Sequence, residues 1–480
     1  TGYKIAIYEE SELNVPVFDS GKQITGKTHE IEVCFKQRSK TRYIYQITAY
    51  SGDLFTVSDL HWYETGLLYP EDFYADWITA PGCDAPVFVK DFEVNEVVRA
   101  RIYFSGLGYS DLYINGIRVS ASYFTPAWSD YHERNMENLL YPIDDSFSYS
   151  VYYLTYDITD LLKSGKNTLE VALGNGFYNQ TQRNVEGKLS YGDNKLFLQL
   201  EWQDTQGLHC IGSDASFMWY PSPVIFNNIY IGEVYDSNKV CRQPQGRAVP
   251  VPAFETVMRS QQSPHDVAFE PIVPLLTKKT INDKGYSIYD VGRNISGVVR
   301  ITTSAAKGET ITLRYAEELN GIQELDFITA GGGHIQTDRY IANGEPCQVY
   351  SPRFAWHGFR FIEVTGSIDS IEALPVHANV EKTGAFTCDN KVLNWITEAY
   401  RQSQLTNLHG GVVSDCPHRE RLGYTGDGQL TADTAMLFFN MQTFYTKWYR
   451  DILDGQCKNS GHVQHTAPFY GGGGGPGLWG

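Results

Sequence analysis

Ala100-Arg101-Ile102-Tyr103-Phe104, and after it Leu112-Tyr113-Ile114 running into Asn115-Gly116, is the stretch that decides the fold class. Short apolar runs interleaved with polar residues suit half-buried strands. Asn-Gly is the dipeptide that a two-residue type I′ hairpin prefers, because both central residues need positive φ. The same grammar recurs outward from there, at residues 169–173, 197–202, 297–302, 310–315 and 359–364, with turn-forming clusters between the runs. Up to about residue 380 the chain therefore reads as a row of β-sandwich modules.

After Gly384 the period changes. Asp389-Asn390 offers a cap to a helix whose apolar positions Leu393, Ile396 and Tyr400 recur at three and four residues, running toward Asn407. Thr425-Gly426-Asp427 is a capping candidate for one longer helix through Leu430, Met436, Leu437, Phe444 and Trp448. Soft boundaries fall near residues 78, 255 and 384, the second just after the Pro-rich stretch that ends at Pro252.

The formal charge of −17 and a pI near 5.2 repel phosphate backbones and anionic lipid surfaces, so nucleic acid is not an expected partner. Aromatic residues make up 14% of the chain, which suits recognition of neutral, hydroxyl-rich ligands as well as an ordinary β-rich core. The eight cysteines (Cys34, Cys83, Cys210, Cys241, Cys347, Cys388, Cys416, Cys457) form no C-x-x-C pair, so neither a zinc ribbon nor a redox motif is written here. No apolar run approaches the length of a membrane span, and Thr1-Gly2-Tyr3-Lys4 does not read as a signal peptide. Secreted or periplasmic placement is the expectation, with a cytoplasmic one also compatible.

The chemistry concentrates in Ser414-Asp415-Cys416-Pro417-His418-Arg419-Glu420-Arg421-Leu422-Gly423-Tyr424-Thr425-Gly426-Asp427. Pro417 pushes Cys416 out of the α region, so the charged cluster is expected on a loop between helices. The bland reading is a surface salt-bridge loop. Against it stand the Gly-Tyr and Thr-Gly breaks, the unusual Cys-Pro, and an aromatic beside the charges.

This string resembles the bacterial α-L-rhamnosidase family, in which an Asp-Cys-Pro opens the loop, an Arg-Glu-Arg-Leu-Gly follows, and an aromatic-x-Gly-Asp closes it. Further strings are similar to the family in the same order: Phe18-Asp19-Ser20-Gly21-Lys22, Asp76-Trp77-Ile78-Thr79-Ala80-Pro81, Phe124-Thr125-Pro126-Ala127-Trp128, Gly174-Asn175-Gly176-Phe177-Tyr178, Tyr289-Asp290-Val291-Gly292, Tyr315-Ala316-Glu317-Glu318 and His357-Gly358-Phe359-Arg360. Residues 133–150 read as an insertion. The resemblance implies a multidomain chain: a fibronectin-like β-sandwich at 1–78, an accessory and carbohydrate-binding β-sandwich at 79–255, a β-sandwich preceding the catalytic domain at 256–383, and the start of an (α/α)6 catalytic barrel at 384–480. Twelve helices of about 11–12 residues with loops of about 4–6 need on the order of 200 residues, so the barrel is expected to be incomplete in this chain.

The activity implied is hydrolysis of terminal non-reducing α-L-rhamnose residues from glycans or glycosides, with inversion and no required cofactor. Glu420 would be the general acid, Asp415, Arg419 and Asp427 would grip the sugar hydroxyls, and Tyr424 stands where the family usually has Trp. Trp479 would help wall the pocket for the rhamnose methyl group. His418 is given no role. An inverting glycosidase also needs a carboxylate about 6.5–9.5 Å from the acid to activate water. In the family that base lies on a later loop of the barrel, so it is expected beyond this chain. Arg419 and Arg421 by themselves would lower the pKa of Glu420. An acid role therefore requires burial or a neighbouring carboxylate, Asp415 or Asp427, to raise it.

Weaker constellations carry less. Cys416-x-His418 with Cys457, His462 and His465 has ligand types that suit zinc but no standard spacing, so structural or pocket-lining roles are expected. The run Gly471 to Gly475 lacks the Lys-Ser/Thr of a phosphate cradle and reads as a loop at the pocket rim. Asn175-Gly176 with Asp157 is a candidate for an accessory calcium and sugar site, with a strand-shaping turn as the blander reading. The expected partner is a carbohydrate substrate, and oligomeric state is left open. Two rival readings are a six-hairpin glycosidase of other specificity and a non-catalytic carbohydrate-binding protein.

Overall fold

The structure, a computed structural model, describes residues 1–134, 147–180, 190–280, 285–330 and 335–469. The chain falls into two compact units, Thr1–Tyr74 and Ala75–Gly480. In the first, strand Gly2–Glu9 pairs antiparallel with Arg42–Ser51 from Gly2↔Tyr50 to Glu9↔Tyr43 in a six-stranded sheet. Its core is small: Ile5, Ile7 and Tyr43, with Phe18, Val33, Phe35 and Tyr63 packed against them.

The second unit opens with two facing sheets, one of six strands and one of seven. The strands read from sequence lie within them. Ala100 to Phe104 falls in Val97–Gly106 and Leu112 to Ile114 in Tyr109–Ile114, and Asn115 and Gly116 both take positive φ, 53° and 78°. Strand alternation explains the core. Phe88, Leu112, Ile114, Leu169 and Val171 of the smaller sheet meet Ile102, Phe104, Leu154, Leu198 and Leu200 of the larger, burying the apolar side of each pleat.

An eleven-stranded sheet follows, organised on the long strand Tyr286–Thr303, which pairs antiparallel with both His357–Thr365 and Ser370–Ala378. It also recruits three strands from before residue 256, Ser122–Tyr123, Val224–Asn228 and Gly232–Asp236. The largest apolar cluster runs from Tyr109, Trp128 and Phe177 through Val298, Trp356 and Leu374 to Leu408, Leu422, Phe444 and Trp448. The helical part is thus seated on the sandwiches through one continuous core.

Three α-helices are described. Helix α1, Lys391–Thr406, is capped as its sequence predicts: the Asn390 side chain accepts from the Val392 and Leu393 N–H groups, and Asn407 closes the C-terminus. The single long helix expected from residue 425 is instead two, α2 (Thr425–Phe438) and α3 (Gln442–Asp454). Phe439 is drawn into extended backbone (φ −135°, ψ 150°) by a bridge to Lys382, and Asn440 N–H donates to Glu381 O. Thr425 does not cap α2 either. Tyr424 occupies the cap position without a side-chain bond, and the Thr425 hydroxyl donates to His465 O.

Candidate active site

The loop between α1 and α2 is fixed at both ends before its charges are placed. After α1 a small hairpin, Leu408–His409 with Val412–Val413, which the sequence reading did not foresee, leads to Ser414. Asp415 and Leu422 then close the loop: Asp415 N–H donates to Leu422 O at 3.2 Å, and Leu422 N–H to Asp415 Oδ1 at 3.4 Å. Beyond it Tyr424 bridges Thr466, and Gly423 O accepts from Ala467 N–H.

Arg421 anchors the loop from below. It is 1% exposed, sits at φ +57°, and lays its guanidinium 4.4 Å from the centre of the Trp356 ring. Its N–H groups donate to Pro417 O, to Ile229 O and to Gln336 Oε1. Gln336 in turn exchanges two hydrogen bonds with the Gly358 backbone. Gly358 is required there: a Cβ at that position would stand 2.7 Å from the Pro417 carbonyl carbon and 2.8 Å from His418 N. Sequence reasoning weighed Arg421 only as a charge beside Glu420. Two of its three partners, Gln336 and Ile229, come from 85 and 192 positions away, so no local signal identifies its inward turn.

With Arg421 turned into the core, the exposed half of the loop holds Asp415, Cys416, Arg419 and Glu420. Oxygens of Asp415 and Glu420 and the Cys416 sulfur lie within 4.8 Å of one another. The Cys416 S–H donates to Asp415 Oδ2 at 3.0 Å, and the Glu420 N–H donates to the Cys416 sulfur at 3.4 Å. Burial, and then the hydrogen bond shared with Glu420, push the Asp415 carboxyl up to about 7. Burial and the Asp415 charge push the Cys416 thiol up to about 12, so the sulfur is a proton donor rather than a thiolate metal ligand. Arg419, 46% exposed at its side chain, donates to Glu420 Oε2 at 3.2 Å. Burial is the largest influence and opposes its charge, but Glu420, Cys416 and Asp415 together outweigh burial and hold the guanidinium above its ordinary value.

Of the residues singled out from sequence, Asp415, Arg419 and Glu420 therefore meet. Tyr424 is half-buried at the head of α2, and Asp427 is exposed in that helix's first turn, outside the hydrogen-bonded group. Trp479 and the Gly471 to Gly475 run lie outside the described residues, as does most of the expected insertion at 133–150. His418, given no role, is held: its Nε2 donates to Thr329 O at 3.0 Å, and Glu317 Oε1 lies 3.4 Å from its Nδ1. Sequence reasoning weighed Cys416 for its proline and as a zinc-ligand type, not as a hydrogen-bond partner of Asp415. Among the described residues Cys457, His462 and His465 form no cluster of potential metal ligands with Cys416 and His418. Asp157 and Asn175 have separate partners: Asp157 pairs with Arg101 at 2.6 Å, whereas Asn175 is buried in bonds to Asn194 and Asn227. The turn at Asn175-Gly176 packs on the Gly108 backbone.

Comparison with known proteins matches three consecutive stretches of the chain to one family. Residues 95–249 match the alpha-L-rhamnosidase N-terminal domain, 279–382 the bacterial alpha-L-rhamnosidase concanavalin-like domain, and 381–480 the bacterial alpha-L-rhamnosidase 6 hairpin glycosidase domain. The chain belongs to the bacterial α-L-rhamnosidase family. It is 28% identical to an alpha-L-rhamnosidase of Formosa agariphila over 95% of its own length and 52% of that protein. It is 31% identical to one of Streptomyces avermitilis over 80% of its length and 37% of that protein. The solved alpha-L-rhamnosidase of Dictyoglumus thermophilum superposes with a TM-score of 0.87 at 29% identity, covering 98% of this chain and 55% of that one. This family member thus spans about half the length, or less, of the curated relatives it matches.

Proposed function

We propose that this chain carries the acid side of an inverting α-L-rhamnosidase, which releases terminal α-L-rhamnosyl residues from glycans or glycosides. The observation that carries this reading is the Asp415–Glu420 contact. Two carboxyl groups joined by a hydrogen bond hold one proton between them, and burial with like charge keeps that proton bound near neutral pH. Glu420 is the partner that can deliver it: its side chain is 23% exposed, and the loop string around it is the family's. It protonates the glycosidic oxygen as the bond to the sugar breaks.

Asp415 serves as the proton's second holder and is not the water-activating base. Its oxygen lies within 4.8 Å of Glu420, whereas an inverting pair needs about 6.5–9.5 Å for the intervening water. The base is assigned to no residue of this chain. Arg419 and Asp427 would bind sugar hydroxyls, and Tyr424 would offer a ring to the sugar face. The three helices are read as the opening of an (α/α)6 barrel. In support, α1 turns Val392, Trp395 and Ile396 outward at 62%, 69% and 49% exposure, an apolar stripe at helical spacing that further helices would cover.

The test is turnover of a panel of aryl glycosides by the complete natural polypeptide, beside Glu420→Gln. Selective release from the α-L-rhamnoside, falling at least about a hundredfold in the variant, is expected of a general acid. Rhamnoside turnover that survives the substitution would refute the role of Glu420. The same assay in Asp415→Asn should move the alkaline limb of the pH profile to lower pH, because one like charge no longer helps Glu420 keep its proton.

A further inference from the structure

Cys416 stands between two carboxyl groups and is bonded to both residues that carry them. Its S–H donates to Asp415 Oδ2 at 3.0 Å, and its sulfur accepts from the Glu420 N–H at 3.4 Å. The second bond spans four positions and closes the turn at 417–420, so the sulfur and the backbone of Glu420 are held in one geometry. The thiol is free of any disulfide and half-buried. A sulfur can accept and donate at these longer distances at once, which lets one small side chain tie the two residues together.

The donors compete for the proton that the two carboxyls share. Asp415 receives the Cys416 S–H at Oδ2 and the Leu422 N–H at Oδ1, whereas Arg419 donates to Glu420 Oε2 at 3.2 Å. A hydrogen bond given to a carboxylate favours its ionised form, so the first two bonds leave the proton to Glu420 and the third draws it toward Asp415. Arg419 is 46% exposed at its side chain and screened by water, while the bonds to Asp415 lie in a half-buried place where they count for more. The Leu422 donor belongs to the backbone and is there whatever residue occupies the position. The S–H donor depends on Cys416 itself, and it opposes the rise that burial and Glu420 impose on the Asp415 carboxyl.

We propose that Cys416 is a positioning residue for the acid: by giving its S–H to Asp415 and taking the Glu420 N–H, it keeps Asp415 the ionised acceptor and leaves the shared proton on Glu420. This rests on the reading of Glu420 as the general acid. When that proton passes to the glycosidic oxygen, both carboxyls are left ionised, and the S–H goes on stabilising the charge on Asp415.

The test is the pH dependence of aryl α-L-rhamnoside turnover by the complete polypeptide, in Cys416→Ala and Cys416→Ser. Alanine removes the donor, so the pair keeps its proton to higher pH and keeps more of it on Asp415. The alkaline limb of the kcat profile should move up by about half a unit to one unit, as loss of a weak donor to a charged group predicts. The plateau kcat should fall about five- to tenfold with KM little changed, because the acid is less often loaded. Serine keeps a donor in nearly the same place and should restore most of both. A packing role alone would treat alanine and serine alike and leave the limb where it was. Equal profiles in the two variants, or an unmoved limb in Cys416→Ala, therefore overturn the proposal. The S–H stretching band in Raman spectra, assigned to Cys416 by its loss in Cys416→Ser, reads the same bond without turnover. It should move to lower wavenumber as the pair loses its proton, and that movement should vanish in Asp415→Asn. If the parent cleaves no rhamnoside while the band still moves, the rhamnosidase reading fails and the hold of Cys416 on the pair stands; a band indifferent to pH overturns that hold.

Discussion

The sheets and the first two helices of the Ala75–Gly480 unit stand in opposite relations to water. Strand Tyr286–Thr303 buries Val298, Val299 and Ile301 completely, each 0% exposed, whereas α1 buries only Gln404 fully and exposes Val392, Leu393, Trp395 and Ile396. Helix α2 repeats this, with Leu430 and Leu437 each 72% exposed. In the sheets, a period of two has a matching apolar face to meet inside the same stretch of chain. In α1, a period close to 3.6 is present but its apolar stripe of Val392, Trp395 and Ile396 faces outward, whereas α3 turns Phe444 and Trp448 into the shared core. Periodicity states which face wants burial; it does not supply the neighbour that buries it.

The comparison breaks first, and hardest, in the sheet. Phe359 is 0% exposed within the core of the eleven-stranded sheet, and Phe359→Ala is expected to cost about 3–5 kcal/mol in chemical denaturation. A loss below about 1 kcal/mol would mean the sheet core is no better packed than the helical part. Next comes the joint between the two regions. Arg421→Met removes the donors for Ile229 O and Pro417 O, while Gln336 keeps its bond from the Gly358 N–H, and a buried group left without a partner costs about 1–3 kcal/mol. The expected net loss is about 3 kcal/mol, measured by the same unfolding, and rhamnoside turnover should fall with it because the loop carrying Glu420 loses its anchor.

That joint also marks where legibility ended. The strands, the Asn115-Gly116 turn and the Asn390 cap could be read because each depends on residues within a few positions. The three residues of the carboxylate cluster were readable for the same reason, being only five positions apart from Asp415 to Glu420. The division into α2 and α3 was not, because Lys382 and Glu381 extract Phe439 and Asn440 from across the fold. The inward turn of Arg421 and the Cys416 bond to Asp415 were hidden likewise. One needs partners from distant strands, and the other needs a loop closed by Leu422 before the thiol can reach its acceptor.

A smaller effect separates the buried charge of the sheets from the helical surface. Glu233 is 0% exposed; burial pushes its carboxyl up to about 8, and it accepts from Arg353 N, Phe354 N and the Tyr350 hydroxyl with Asp338 nearby. Because the folded value lies above the unfolded one, the protonated group contributes stability below the unfolded value of about 4.3. That contribution is lost as pH rises through about 8. The melting temperature should therefore fall on the alkaline side, and Glu233→Gln, which cannot ionise, should flatten that fall. An identical alkaline profile in the variant would assign the loss to other groups.

The smallest expected effect tests the outward stripe itself. Trp395 is 69% exposed on α1 and Leu437 72% exposed on α2, so within residues 1–480 each side chain gains little from folding. Trp395→Ser and Leu437→Ser should each change the stability of the 480-residue chain by no more than about 0.5 kcal/mol, the ordinary range for surface substitutions. In a complete natural polypeptide whose further helices cover the stripe, the same changes should cost about 2–5 kcal/mol, as large-to-small changes in a core do. Measuring both substitutions in both contexts separates a helix face built for burial from one that merely tolerates exposure. Equal and small effects in the two contexts would leave the helices as they stand here, seated on the sandwiches by one side and needing nothing on the other.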